Sequence, residues 1–186
     1  MCCQNKRGIE NSNDGKGIAF KWLAVFSLLV LIGVTGCSEK NPAGIGNMAP
    51  DFQLAGLDGK TYRLSDFRGK LVHLHFWAEW CPRCHEEFDV LGRIYPELKK
   101  EYPNFEILGV NVDQPRVHVE DFVKKHPVGF PILLDKGAKV ARAYHVKGLP
   151  TNFLIGKDGK ILEVILGWID ADYMTRSLGR YLHPGG

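Results

Sequence analysis

An apolar run from Leu71 to Trp77 gives way, after Ala78-Glu79-Trp80, to a helical pattern that opens at Pro82. Cys81-Pro82-Arg83-Cys84 stands on that joint. An uncharged run of this length, bounded by a turn, reads as a buried strand. Proline is favoured at the first position of a helix because its missing N–H is not needed there. A second apolar strand, Phe105 to Val112, follows the helix. Strand, helix and strand in succession commit the chain to layered α/β packing. The joint carries chemistry as well. Positions i and i+3 share a helix face, so Cys81 and Cys84 can reach the roughly 5.5 Å Cα separation that a disulfide prefers. Such a pair can close a bridge and open it again.

The remaining pattern fills in the architecture. Asp51 to Leu54 and Thr61 to Leu64 flank a turn at Asp58-Gly59 and read as a hairpin. Ser65 to Phe67 reads as one helical turn. Pro96 is expected to kink or interrupt the helix that begins at Pro82. Arg116 to Lys125 reads as a helix ending before Pro127. Ile132 to Leu134 is a short strand and Ala138 to Tyr144 a short helix. Thr151 to Ile155 and Lys160 to Leu166 form a hairpin around Asp158-Gly159, and Ala171 to Leu182 is a closing helix. The sum is an α/β fold with a mixed central sheet flanked by helices and an N-terminal hairpin extension.

The first 36 residues read as a targeting segment. Lys6, Arg7, Lys16 and Lys21 precede an apolar run from Trp22 to Val34, short for a bilayer span but suited to a signal-peptide core. Val34-Thr35-Gly36-Cys37 resembles a bacterial lipobox, which implies cleavage before Cys37 and lipid attachment to its sulfur. Residues 1–36 are then a lipoprotein signal peptide, 37–47 a lipidated tether and 48–183 the folded domain. The chain's net charge is +3, and residues 1–36 hold four bases against two acids, which leaves +1 for the rest. That balance gives no nucleic-acid footprint. Of five cysteines, Cys2 and Cys3 leave with the peptide and Cys37 is lipidated. Cys81 and Cys84 remain, too few for a structural disulfide framework.

Several separated motifs carry a family resemblance. Phe76 to Cys84 resembles the active-site segment of thioredoxins, and Gly148-Leu149-Pro150-Thr151 resembles their cis-proline loop. Met48-Ala49-Pro50-Asp51-Phe52, Asp66-Phe67-Arg68-Gly69-Lys70 and Phe153-Leu154-Ile155 narrow the likeness to the TlpA/ResA/CcmG group of membrane-tethered thiol–disulfide oxidoreductases. The resemblance implies a thioredoxin-like fold over nearly all of residues 48–183. It implies a redox-active disulfide with no other cofactor and no metal. It also implies a cis Pro150 whose loop, with Leu149, offers backbone to a bound substrate. Disulfide-bonded proteins are the implied substrates, apocytochrome c among them, in cytochrome c maturation. The implied electron source is a membrane thiol donor of the CcdA/DsbD kind. The expected setting is the extracytoplasmic face of the cell envelope, with a lipid-anchored monomer.

Residue roles follow from position. Cys81 stands at the helix mouth and is expected to be the exposed attacking sulfur, its thiolate favoured by the helix dipole. Cys84, one turn in, is expected to be buried and to resolve the mixed disulfide. A thiol pKa lowered by about two units from about 8.5 raises thiolate at pH 7 roughly 25-fold but lowers nucleophilicity roughly 8-fold, so attack gains only about 3-fold. The same shift moves the potential by nearly 60 mV, so thiolate stabilisation mainly sets redox poise. Arg83 favours the thiolate, while Glu79, Glu86 and Glu87 oppose it, which predicts an intermediate-to-reducing couple. His75 stands where thioredoxins place a buried acid, and Glu87 matches an acidic residue of the ResA-like group. Either can take the Cys84 proton; alternatively His75 is a core histidine and Glu87 lies on a solvated helix face. Asp89 departs from the group's proline. Trp77 and Trp80 read either as a substrate-docking surface or as core and rim packing, and Trp168 as packing.

Three other chemistries share these residues. Cys81 to His85 also spells C-x-x-C-H, the c-type haem attachment pattern, though set here between a buried strand and a helix. Ala49-Pro50-Asp51-Phe52 also occurs in peroxiredoxin-like thiol peroxidases. Those carry Thr three residues before the peroxidatic cysteine, where this chain has Cys81. Sco-like copper-binding and delivery proteins use C-x-x-x-C, one residue wider than the spacing here, although two thiolates can hold Cu(I).

Overall fold

The computed structural model describes residues 43–182. The signal-peptide reading, the Cys37 lipid-attachment reading and His183 at the domain's end fall outside them. Seven strands form one mixed sheet: β1 (Gln53–Gly56), β2 (Thr61–Arg63), β3 (Leu71–Trp77), β4 (Phe105–Val112), β5 (Ile132–Asp135), β6 (Thr151–Ile155) and β7 (Ile161–Leu166). Their spatial order is β2-β1-β5-β4-β3-β6-β7. The helices are α1 (Pro82–Glu101), α2 (Arg116–Lys125), α3 (Lys139–Ala143) and α4 (Ala171–Leu182), with a 3-10 turn at Leu64–Phe67. The N-terminal hairpin extends the sheet antiparallel beside β5. The stretch read as a tether is fastened from Gly46 on, whose N–H donates to the Ile161 carbonyl, while the Ile161 N–H donates to Asn47.

β3 is central, parallel to β4 and antiparallel to β6. A strand paired on both edges and covered on both faces is expected to be mostly apolar, and every residue of β3 is buried, His73 and His75 included. Side chains alternate between faces. Val72, Leu74 and Phe76 pack in one core with Val140, Ala141 and Tyr144 of the α3 region. Leu71 and Trp77 pack in the other, with Cys84, Phe88 and Leu91 of α1 and Met174 and Leu178 of α4. His73 and His75 share the parity of Leu71 and Trp77, so they face α1.

Pro96 does not interrupt α1, which runs as one helix of 20 residues. The ring removes one backbone bond, but Leu91, Tyr95 and Leu98 are buried on either side of it. Packing of that stripe outweighs the missing bond. The core is tight beneath the joint. A Cβ at Gly109 of β4 would lie 2.9 Å from Ile132 Cδ1, 3.2 Å from Phe130 Cε2 and 3.4 Å from Trp77 Nε1. Gly109→Ala is therefore expected to destabilise the protein by about 1–3 kcal/mol through overpacking, measured as a lowered denaturant midpoint with an unchanged slope.

Candidate active site

Strand β3 ends at Trp77, and the chain crosses its C-terminal edge through Ala78-Glu79-Trp80 to reach α1. Cys81 is the N-cap of α1, with extended backbone, and its sulfur accepts the Cys84 N–H at 3.3 Å. The cap satisfies a helix N–H that has no intrahelical partner. Cys81 and Cys84 are joined as a disulfide with Cα atoms 5.3 Å apart. Cys84 is 0% exposed and Cys81 only 4%. Cys81 is thus the more accessible sulfur, yet far less open than its place at the helix mouth suggests, because its side chain packs into the α1-side core.

The approach loop is braced from β4 and the segment after it. Gln114 Oε1 accepts the Glu79 N–H at 2.7 Å and the Asn111 side-chain amide at 2.8 Å. Gln114 Nε2 donates to the Glu79 carboxylate at 3.1 Å. His85 Nε2 lies 2.5 Å from the Glu79 carbonyl, and its ring packs on Phe122. Trp80, in the same loop, is 68% exposed.

Opposite the disulfide runs the start of β6. Register pairs Phe76 with Thr151, which sets Pro150 beside the end of β3. The Leu149–Pro150 bond is cis, as the resemblance implies. Pro150 is buried, its carbonyl accepts the Gly167 N–H at 2.9 Å, and Leu149 packs against both cores. Trp168, expected to be packing, is 40% exposed on the loop beside them.

Beneath the disulfide lies a buried polar chain. Buried α1 side chains fall at 84, 87, 88, 91, 95 and 98, one helical stripe. Glu87 belongs to that stripe rather than to a solvated face and is 0% exposed. Burial pushes its carboxyl up to about 8; the Asn152 side chain and the Ile169 backbone nearby draw it part of the way back. Neither Glu87 oxygen has a partner in hydrogen-bonding geometry. Glu87 is therefore a neutral acid at pH 7 and does not oppose a Cys81 thiolate as a charge. Arg83 is likewise offset, its guanidinium 2.9 Å from Glu86. His75 Nδ1 lies 3.5 Å from Glu87 Oε1. Burial holds His75 down to about 3 and His73 to about 4, so both rings are neutral. Asn152 Oδ1 lies 2.9 Å from His75 Nδ1 and 2.8 Å from His73 Nε2. Sequence reasoning found His75 and Glu87 but missed His73, Asn152 and Gln114. An Asn inside the otherwise apolar run from Asn152 to Ile155 was the available signal for one of them.

A disulfide capping a helix, faced by a cis-proline loop on a β-sheet of this order, defines a thioredoxin-fold thiol–disulfide protein. Comparison with known proteins narrows the class. Residues 45–164 match the AhpC/TSA family model. The chain is 40% identical over 158 residues to the thiol-disulfide oxidoreductase ResA of Geobacillus kaustophilus, covering 81% of this chain and 90% of that one. A solved structure assigned as a thiol:disulfide interchange protein DsbE from Chlorobium tepidum is 33% identical with a TM-score of 0.69, over 75% of this chain and 99% of its own. The exposed lipoprotein thioredoxin Etrx1 of Streptococcus pneumoniae is 32% identical with a TM-score of 0.62, over 70% and 99%. The chain belongs to the ResA-type thiol–disulfide oxidoreductases, within the AhpC/TSA family. It is accordingly an enzyme of thiol–disulfide exchange, with disulfide-containing proteins as its substrate class.

Proposed function

We propose that this protein reduces protein disulfides outside the cytoplasm, with Cys81 as attacking sulfur, Cys84 as resolving sulfur and Glu87 as proton acceptor. In the reduced enzyme the Cys81 thiolate attacks a substrate disulfide and expels one substrate thiolate. In the fraction with Glu87 ionised, about a tenth at pH 7 for a carboxyl near 8, Cys84 then gives its proton to the Glu87 carboxylate as its sulfur attacks Cys81, which releases the second substrate thiolate. Two electrons leave the enzyme, its thiols become the Cys81–Cys84 disulfide, and the substrate gains two thiols after protonation from solvent. The observation that carries this reading is a buried carboxyl one helical turn beyond the buried cysteine. A carboxyl raised to about 8 is matched to thiol chemistry near neutral pH. Trp80, Leu149 and cis-Pro150 form the rim that receives the substrate chain.

Reduction needs an external thiol donor, and we assign a membrane dithiol carrier of the CcdA/DsbD kind to that step. Lipid attachment at Cys37 would tether residues 48–183 at a membrane surface through residues 37–47. The likeness to an exposed lipoprotein thioredoxin supports that anchoring. Apocytochrome c is the substrate this reading favours, its two haem-binding thiols kept reduced before haem attachment. A Cys84→Ser variant, unable to resolve, should trap substrates as mixed disulfides on Cys81. Capture of apocytochromes supports the maturation role, and capture of other exported proteins without them would replace it by general disulfide reduction. Peroxide turnover with a thiol donor would instead favour a peroxidase.

The neutral Glu87 and the offset Arg83–Glu86 pair leave the helix N-terminus as the main influence on Cys81. That influence favours the thiolate and so raises the potential, but with no unpaired cation adding to it the couple is still expected to lie well below the roughly −120 mV of a strong oxidase. Equilibration against glutathione measures this, and a potential near that oxidase would contradict it.

A further inference from the structure

We propose that Asn152 is the positioning residue of this site, fixing the His75 tautomer with its hydrogen on Nδ1, the nitrogen nearest Glu87, and so excluding that nitrogen as acceptor of the Cys84 proton. The inference rests on the Glu87 role given above and deepens it. The Asn152 amide nitrogen donates to the Gly167 carbonyl at 3.1 Å. That bond settles which end of the amide faces β3: the oxygen. An amide oxygen only accepts, and here it lies between His73 Nε2 and His75 Nδ1, at 2.8 and 2.9 Å. Both of those nitrogens must carry hydrogen. A neutral imidazole holds one N–H, so His73 Nδ1 and His75 Nε2 are bare, and these are the two imidazole nitrogens buried without a partner among the described residues.

The nitrogen of His75 that faces Glu87, at 3.5 Å, is therefore the protonated one. It can donate to a carboxylate but cannot take a proton. The bare Nε2 stays bare near neutrality, since burial and the neighbouring His73 both hold the ring down. The groups facing Glu87 come from four segments. α1 supplies Cys84, β3 supplies His75, β6 supplies Asn152, and the loop after β7 supplies the Ile169 backbone. None of them is a fixed charge. The Asn152 amide and the Ile169 backbone are the dipoles that favour an ionised Glu87, and His73 holds Asn152 from the far side.

Loss of Asn152 would let His75 take its other tautomer, with a bare Nδ1 toward Glu87. That nitrogen would accept from the neutral acid and favour the protonated form. The first test is long-range hydrogen–nitrogen NMR on the oxidised wild type, which requires no turnover. His75 should be protonated on Nδ1 and His73 on Nε2, unchanged between about pH 5 and pH 8. A His75 protonated on Nε2, or gaining a second proton above about pH 6, would overturn the inference. The second test is the pH profile of the single-turnover resolving step in Asn152→Val, whose midpoint should rise by about one unit more with His75 present than in a His75→Phe background, where only the direct effect of the Asn152 amide on Glu87 is lost. An equal rise in both backgrounds also overturns it. Should Asn152→Val not fold, the wild-type tautomers decide alone. A wild type with these tautomers but no disulfide reduction would overturn the proposed function, not the tautomer assignment.

Discussion

Cys81→Ser is expected to abolish disulfide reduction, lowering turnover of insulin disulfides by about a thousandfold or more. The size follows from the geometry. Cys81 is the more exposed residue of the pair, at 4% against 0% for Cys84 beneath it. A substrate disulfide has no second nucleophile to meet, and a serine hydroxyl at the helix mouth is not ionised near pH 7. Cys84→Ser should behave differently. Attack survives, resolution does not, and less than one equivalent of substrate is converted before the enzyme stalls as a mixed disulfide. The asymmetry between the variants is the informative result. Retention of more than about a tenth of turnover by Cys81→Ser would show that Cys84 can be reached directly, and the assigned roles would have to be exchanged. Alkylation of the reduced wild type gives an independent check: Cys81 should be modified well before Cys84.

How much of this could be read from the chain depends on what each feature is made of. Strands β3 and β4 are mostly apolar runs, broken by His73 and His75 in one and by Glu106 and Asn111 in the other, and the structure places both at the expected residues. The cysteine pair, its helix and the proline loop are local sequence features, and they meet because β3 and β6 are neighbours. Pro96 was misleading because propensity is local while the stripe that holds α1 together is tertiary. Glu87 was open to two readings, and the spacing of Cys84, Phe88 and Leu91 already placed it on the buried face. The Asn152 hub was not legible. Its meaning comes from register, which sets it opposite His75 and diagonal to His73, and no pattern along β6 alone encodes which residues of β3 it will face. Gln114 was invisible for a related reason: it braces Glu79 from 35 positions away.

The same buried chain should give the oxidised protein a stability maximum near pH 6.5 and a loss on either side. Glu87 has a folded pKa raised from 4.5 to about 8. Between those values the folded state holds a proton that the unfolded state has released, so stability falls as pH rises through this window. The full span corresponds to about 5 kcal/mol. His73 and His75 act in the opposite sense. Their folded values are lowered from 6.5 to about 4 and about 3, so below pH 6.5 the unfolded state binds protons that the folded state refuses. Stability falls there as pH falls. Between about pH 4.5 and 6.5 two histidines outweigh one carboxyl, and above 6.5 only the carboxyl remains. Glu87→Gln keeps the shape and removes the titration. It should leave the acid limb in place, flatten the alkaline limb, and raise the melting temperature at about pH 8 more than at about pH 5. Denaturant unfolding across the pH range reads both limbs. An alkaline limb that persists in Glu87→Gln would mean that another group drives it and that Glu87 does not carry the raised pKa, and the proton acceptor of the exchange reaction would have to be sought elsewhere.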